Sequence, residues 1–241
     1  MQHDVNELGQ PIGVPLASWR EPPALSPEVM EGSACRLEPL DPALHVESLF
    51  DSNALDTPGK NWTYLAYGPF DKLADYRAWM VAACCGEDPL FYAVLDQETG
   101  RAVGIASYLR INPSSGSVEI GHINFSPALQ RTTAATEALF LMIDRVFAQG
   151  YRRCEWKCDA LNAGSGRAAQ RLGFSFEGVF RQATVYKGRN RDTGWYAIVD
   201  TDWPALHEAF KKWLAPENLD ENGEQRLRLS ELTKPLLKSL G

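Results

Sequence analysis

The chain has 241 residues, 44% of them hydrophobic, and a formal net charge of -7. That length and apolar content suffice for a substantial core and exclude a disordered chain. The acidic balance excludes a general nucleic-acid binder, which needs a basic footprint. The five cysteines include no CxxC pair or Cys/His spacing that suggests zinc, so they read as reduced, mostly buried thiols and no metal is expected. The start "MQHDVNELGQPIGVPLASW" lacks the basic-then-apolar pattern of a secretory signal, and no apolar run is long enough to cross a bilayer. The expectation is a cytoplasmic protein with neither nucleic acid nor membrane as partner.

Residues 1–32 are rich in proline and polar residues and read as an arm that wraps over a domain. Regular patterning begins at "ACRLEPLD", 34–41, a predicted strand, and Asp41 is placed to cap a helix reaching about Ser52. "NWTYLAYGPF" reads as a buried irregular segment. Leu73, Tyr76, Met80 and Cys84 then recur at helical spacing, with Asp71 as the expected cap. Three strands follow, 90–96, 102–111 and 117–125, the last ended by Ser126-Pro127. A helix after "QRTTAATEA" runs to about Gln149, where Gly150 stops it. "RRCEWKCDAL" is the next strand, and Asn162 starts a shorter helix ending at "LGF". Two strands, "SFEGVFRQATVYKG" and "GWYAIVD", flank an expected turn at "RNRD". "TDWPALHEAFKKWL" is a closing helix with Asp202 at its cap and Pro204 in its first turn. Residues 216–241 read as a polar tail with a short helix in "EQRLRLSELT", so the domain proper is expected over 33–215. Several strands follow one another without intervening helices, which predicts a mixed α/β (α+β) fold rather than a doubly wound one.

Side chains alternate across a strand, so Glu119, Gly121, Ile123 and Phe125 are expected on one face and His122 on the other. Gly121 in mid-strand predicts a bulge or a close backbone approach. A bulge would splay the strand from a neighbour and leave backbone groups free to bind an extended, amide-bearing ligand. Immediately downstream, residues 131–136 present the unpaired N–H groups of a helix start. Together these suit an amide-containing arm joined to a pyrophosphate, which is the anatomy of coenzyme A.

On these residues the chain resembles the GNAT superfamily of acyl-CoA-dependent N-acetyltransferases, especially its RimJ/RimL-like branch. The superfamily's cofactor motif, Gln/Arg-x-x-Gly-x-Gly/Ala, is matched by Gln130-Arg131-Thr132-Thr133-Ala134-Ala135, with Thr133 in the glycine place. A second block, "NAGSGRAAQRLGFSFEG", is similar to the branch's Asn-x-x-Ser…Leu-Gly-Phe…Glu-Gly segment, and the likeness covers about residues 33–200. The resemblance implies a twisted, mostly antiparallel sheet splayed at the cofactor site, with helices on both faces. It implies acetyl transfer from acetyl-CoA to a primary amine, either a protein N-terminus or a small amine, in a ternary complex. It leaves room for a homodimer, and for a non-catalytic acyl-CoA-binding regulatory module on the same fold.

The implied roles transfer one by one. Amides of Arg131, Thr132, Thr133, Ala134, Ala135 and Thr136 would hold the pyrophosphate. The main chain of Ile123 and Phe125 would pair with the pantetheine arm, and the Ile123 amide would stabilise the oxyanion. Asn162 would contact the pantetheine or acyl end. Ser165 would donate to the leaving thiolate, because Ala169 stands where many relatives carry tyrosine. Glu119 occupies the base position of several members, while Thr184 stands where some RimL-like enzymes have an acid.

Each residue also has a plainer reading. Glu119 could pair with a cross-strand Arg or Lys. His122 is read as structural, Ser165 could support the helix start, and Trp156 and Trp195 are read as core. Trp62, Tyr64 and Tyr67 either line an acceptor pocket or form a buried aromatic cluster. Lys187, Arg189 and Arg191 read as a solvated turn, with contact to an acidic partner or the cofactor's phosphate as the alternative. A nucleotide-binding phosphate loop is disfavoured because no Gly-Lys-Ser/Thr sequence is present.

Overall fold

The computed structural model describes residues 3–241. Strands β1 (Asp4–Val5) and β2 (Pro11–Ile12) form a small hairpin of their own. β3 (Met30–Glu31) and β4 (Cys35–Pro39) begin the main sheet, followed by helices α1 (Pro42–Asn53) and α2 (Leu73–Ala83). Next come β5 (Leu90–Asp96), β6 (Ala102–Asn112), β7 (Ser117–Phe125), α3 (Thr133–Ala148), β8 (Arg153–Asp159) and α4 (Ala163–Arg171). β9 (Ser175–Tyr186), β10 (Arg189–Val199), α5 (Trp203–Leu214) and the short α6 (Leu229–Thr233) complete the chain. The eight-stranded sheet has the order β3-β4-β5-β6-β7-β8-β10-β9. Every pairing is antiparallel except that of β7 with β8. No helix among the described residues is long and apolar enough to cross a membrane.

Period-two alternation on β5 and β6 supplies a core on each face of the sheet. Tyr92, Val94 and Tyr108 join α3 and α5 on one side. Phe91, Ala93 and Ile105 join Val46 and Leu49 of α1 and Tyr76 and Met80 of α2 on the other. Asp41 caps α1 as expected, its side chain accepting from the Ala43 amide at 2.8 Å.

Four local expectations change. α2 starts one residue later than Asp71 would require, with extended Lys72 as its uncapped N-terminus. Asp202 stands at the start of α5 but makes no side-chain cap bond. The hairpin turn is at Lys187-Gly188, both with positive φ, and "RNRD" opens β10 instead. The C-terminal segment is no loose tail, since Leu229 is in the core and the Thr233 hydroxyl donates to the Arg171 carbonyl at 2.9 Å.

The arm is docked by polar anchors. Arg145 of α3, largely buried, donates to the Tyr92 hydroxyl and to the Ser26 carbonyl, both at 2.7 Å. Glu137 of α3 does the same for the β3–β4 turn. Its buried carboxylate accepts from the amides of Ser33 (2.8 Å), Ala34 (2.6 Å) and Cys35 (3.1 Å). Glu137→Ala would orphan three amides at once and is expected to cost about 3 kcal/mol of unfolding free energy in a urea titration. A loss below about 1 kcal/mol would show that water replaces the carboxylate there.

Candidate active site

β7 and β8 pair only over Ser117–Glu119 and Arg153–Glu155. Beyond that fork β7 has no strand on its β8 side among the described residues. The opening is a cleft of about 1330 Å³, walled by residues 119–125 of β7, residues 156–159 of β8 and the starts of α3 and α4.

The last aligned pair at the fork is Glu119 beside Glu155. Two neighbouring carboxylates repel, and Lys157 resolves the conflict. Its ammonium lies 2.9 Å from Glu119 and 2.7 Å from Glu155, with 7% of its side chain exposed. Arg110 adds a 2.6 Å contact to Glu119. The ammonium also sits 3.8 Å from the ring centroid of Trp195, a cation–π arrangement. Burial raises the Glu155 pKa, but the Arg153 and Lys157 contacts outweigh it and hold the carboxyl below its ordinary value. Glu119 is therefore in the cleft wall, but in the paired state that was the plainer reading of this residue.

The strand is bulged one residue beyond Gly121. Pairing slips between Ile105/Asn124 and Ser107/Gly121, and His122 takes φ +50°. The alternation is broken there, so the expected single face from Glu119 to Phe125 does not exist. His122 lines the cleft, its ring against Tyr67 and Phe91 at centroid distances of 5.7 and 5.0 Å. Burial, and then the Arg110 charge, lower its pKa.

The Ser126 amide bonds the Val103 carbonyl at 3.1 Å. By antiparallel alternation the main-chain groups of Phe125 point away from β6, toward the cleft side. The Phe125 carbonyl is already occupied, accepting from Gln130 Nε2 at 2.8 Å and Asn61 Nδ2 at 3.1 Å. Gln130, the first residue of the glycine-poor motif, is thus a latch between strand and loop.

At the helix start, Thr132 is the N-cap. Its Oγ1 accepts from the Ala135 amide at 3.1 Å and donates to the Leu129 carbonyl at 2.7 Å. The first-turn amides of Thr133 and Ala134 have no partner among the described residues and are the ones available to an anion. The Thr136 hydroxyl accepts from Arg171 at 2.8 Å. Arg131, Arg167 and Arg171 all line the cleft, a local cationic set in an acidic chain. Glutamate at Thr133 or at Ala135 is expected to weaken coenzyme A binding at least about 100-fold, by bulk and like charge. Calorimetric titration with near-normal affinity for both variants would remove the loop from the site.

At the other helix, Asn162 caps α4 by accepting from the Ser165 amide at 3.1 Å. The Ser165 hydroxyl accepts from the Trp156 indole at 2.9 Å, which leaves its own hydrogen free to turn elsewhere. Cys158 adjoins the same hydroxyl, and burial raises its thiol pKa. Trp156, read from sequence as core, thus also orients Ser165. Trp195 is in the cleft wall, stacked on Phe180 at 4.4 Å. Trp62 is at the centre of the aromatic cluster, whereas Tyr64 lines the cleft and donates to the Leu161 carbonyl at 3.2 Å. Lys187 is exposed in the hairpin turn, as expected, and its ammonium also donates to the Trp62 carbonyl at 2.7 Å. Arg191 and Thr184 also line the cleft.

Lys157→Met would leave the two fork carboxylates facing each other in a buried setting. It is expected to cost about 3 kcal/mol in urea unfolding, and adding Glu119→Gln should restore part of that loss. Simple additivity of the two substitutions would sever the proposed bridge.

Residues 35–175 match the model of the family described as an acetyltransferase (GNAT) domain. A GCN5-related N-acetyltransferase from Brucella melitensis is 43% identical, over 91% of this chain and 100% of that one, with a TM-score of 0.88. A probable GNAT-family acetyltransferase from Chromobacterium violaceum is 42% identical, over 81% and 98% of the two chains, with a TM-score of 0.76. The Salmonella typhimurium acetyl transferase that modifies the N-terminal serine of ribosomal protein L7/L12 is 20% identical over 71% and 99%, TM-score 0.58, a likeness of fold alone. No curated protein matches the chain.

Proposed function

The chain belongs to the GNAT acetyltransferase family, and on that premise we propose that it moves an acetyl group from acetyl-CoA to a primary amine by direct attack in a ternary complex. The observation that carries this reading is the unpaired edge of β7 beyond Glu119, lying in one cleft with the open first-turn amides of α3. That pairing of features fits a cofactor with an extended amide arm and a pyrophosphate at its end. A more distant structural neighbour, the Microcin C7 self immunity acetyltransferase MccE, is described in complex with acetyl-CoA and AMP.

In this reading the amides of Thr133 and Ala134 take the pyrophosphate, aided by Arg131. The bulged stretch around Ile123 offers its amide to the thioester carbonyl, where negative charge develops in the transition state. The amine attacks the carbonyl carbon, the C–N bond forms and the C–S bond breaks. Ser165, held by Trp156, gives its free hydrogen to the leaving sulfur. Asn162 sets the start of α4 and thereby the place of Ser165. Glu119 holds the fork together with Lys157. The acceptor enters from the face carrying α1 and α2, past Tyr64. A protein N-terminus, the acceptor of the RimL-like branch, is one such amine.

Thiol release from acetyl-CoA, measured over a panel of peptides, amino acids and polyamines, tests the reading. At least one amine should raise release well above background. Ser165→Ala should lower its turnover about 100-fold while leaving acetyl-CoA affinity within about twofold. Tight acetyl-CoA binding without release for any amine would instead identify a non-catalytic acyl-CoA-binding module.

A further inference from the structure

We infer that His122 is the general base that takes the proton from the attacking amine, with its Nε2 facing the acceptor and its Nδ1 anchored on Tyr67. The inference rests on the acetyltransferase reading above and adds the group that activates the acceptor.

Three independent observations converge on this side chain. The first is the backbone. His122 is the extra residue of the β7 bulge, held at φ +50°. A non-glycine residue in the left-handed region is uncommon and strained, so the surroundings must enforce it. Its effect is to turn the imidazole out of the strand's alternation, beside the Ile123 amide assigned to the thioester carbonyl.

The second is the ring's setting. Nδ1 lies 3.3 Å from the Tyr67 hydroxyl, and the ring is stacked on Tyr67 at an interplanar angle of 23°. Tyr67 is itself stacked on Trp79 of α2 at 4.3 Å. With Nδ1–H donating to the phenol oxygen, the Nε2 lone pair is left for a proton. The same contact stabilises the imidazolium once the proton has arrived. Burial pushes the Tyr67 pKa up, so the phenol stays neutral throughout.

The third is the charge around it. Arg110 from β6 is the cation that acts on His122. Glu119, the carboxylate on its own strand, is engaged by Arg110 and Lys157. Phe91 from β5 and Tyr67 from the α1–α2 connection contribute no charge. Burial and Arg110 both keep the imidazole unprotonated at neutral pH, which is the state a base needs. Glu119, by contrast, has an arginine and a lysine on its carboxylate.

The protons balance. The acceptor ammonium gives one proton to Nε2, which passes it to solvent. The neutral amine attacks, and its next proton leaves as the C–N bond forms and the C–S bond breaks. That proton ends on the coenzyme A sulfur by way of Ser165. The sum is ammonium plus thioester giving amide, thiol and one free proton.

The test is the pH profile of kcat/KM for an accepted amine in wild type, His122→Gly and His122→Gln. Glycine tolerates the positive φ and so preserves the bulge. Wild-type activity should rise through an inflection below the ordinary histidine value. His122→Gly should lose about 100-fold or more in kcat, lose that inflection, keep acetyl-CoA affinity within about twofold, and regain activity with added imidazole. Should His122→Gly lose acetyl-CoA binding, His122→Gln carries the same comparison of rate and inflection. Turnover within about threefold of wild type with the inflection intact would overturn the assignment and leave the acetyltransferase reading standing. A loss that keeps the inflection and resists imidazole would overturn it too. If wild type acetylates no amine, both fall together.

Discussion

The site depends on one ammonium. β7 and β8 run parallel, and the last aligned pair sets Glu119 beside Glu155. Without a cation between them the pair would repel at the position where the strands must still hold together. Lys157 lies within 3 Å of both carboxylates, as distances of 2.9 and 2.7 Å attest, and its other side rests on Trp195. Charge, not only backbone ladder, therefore fixes where the sheet opens. One residue further on, β7 is free of β8, and no strand pairs with it on that side among the described residues.

From that fork the two faces of the sheet acquire different work. The face under α3 is the one proposed to receive an anion, because helix starts present amides and the neighbouring arginines are gathered there. The face under α1 and α2 carries the aromatic cluster, from which Tyr67 reaches His122. In the proposed reaction the bulge joins the two, turning one side chain toward the acceptor while the adjacent amides serve the cofactor. Long-range bonds hold the wall around it. Tyr64 reaches Leu161, Lys187 reaches Trp62, and Asn61 reaches the Phe125 carbonyl. None of these joins residues of one element, so the wall is a property of the assembled fold.

Local signals in the sequence were legible in proportion to how local their causes are. The strand alternation of 90–96 and the Asp41 cap depend on neighbours a few residues away, and both were readable. The fold class followed from the order of the elements, and the family motif marked the start of α3. What could not be read depended on partners far along the chain. Glu119 stands at the base position the resemblance implies, and that Lys157 and Arg110 lie on its carboxylate is visible only in the fold. A period of two assigns His122 to the far face, and one inserted residue brings it to the cleft wall. Gly121 did signal a bulge, but its neighbour carries the strained dihedral. Trp156 is core by burial and also orients Ser165, and only the second role needs the tertiary structure.

In the proposed anion site, the motif without glycine divides the task between backbone and side chain. Glycine serves such a loop in two ways, by accepting positive φ and by letting a ligand come close. Here the positive φ falls on Arg131, at +65°, ahead of the helix, while Thr133 already belongs to α3 and has no positive φ. Only close approach remains to be met, and small side chains at 133 and 134 meet it. Thr132 turns its hydroxyl inward to cap the Ala135 amide, which narrows the open donors to the two amides before it. The cap and the cradle are thus one structure. The threonine that satisfies one first-turn amide fixes the direction in which the unsatisfied ones point.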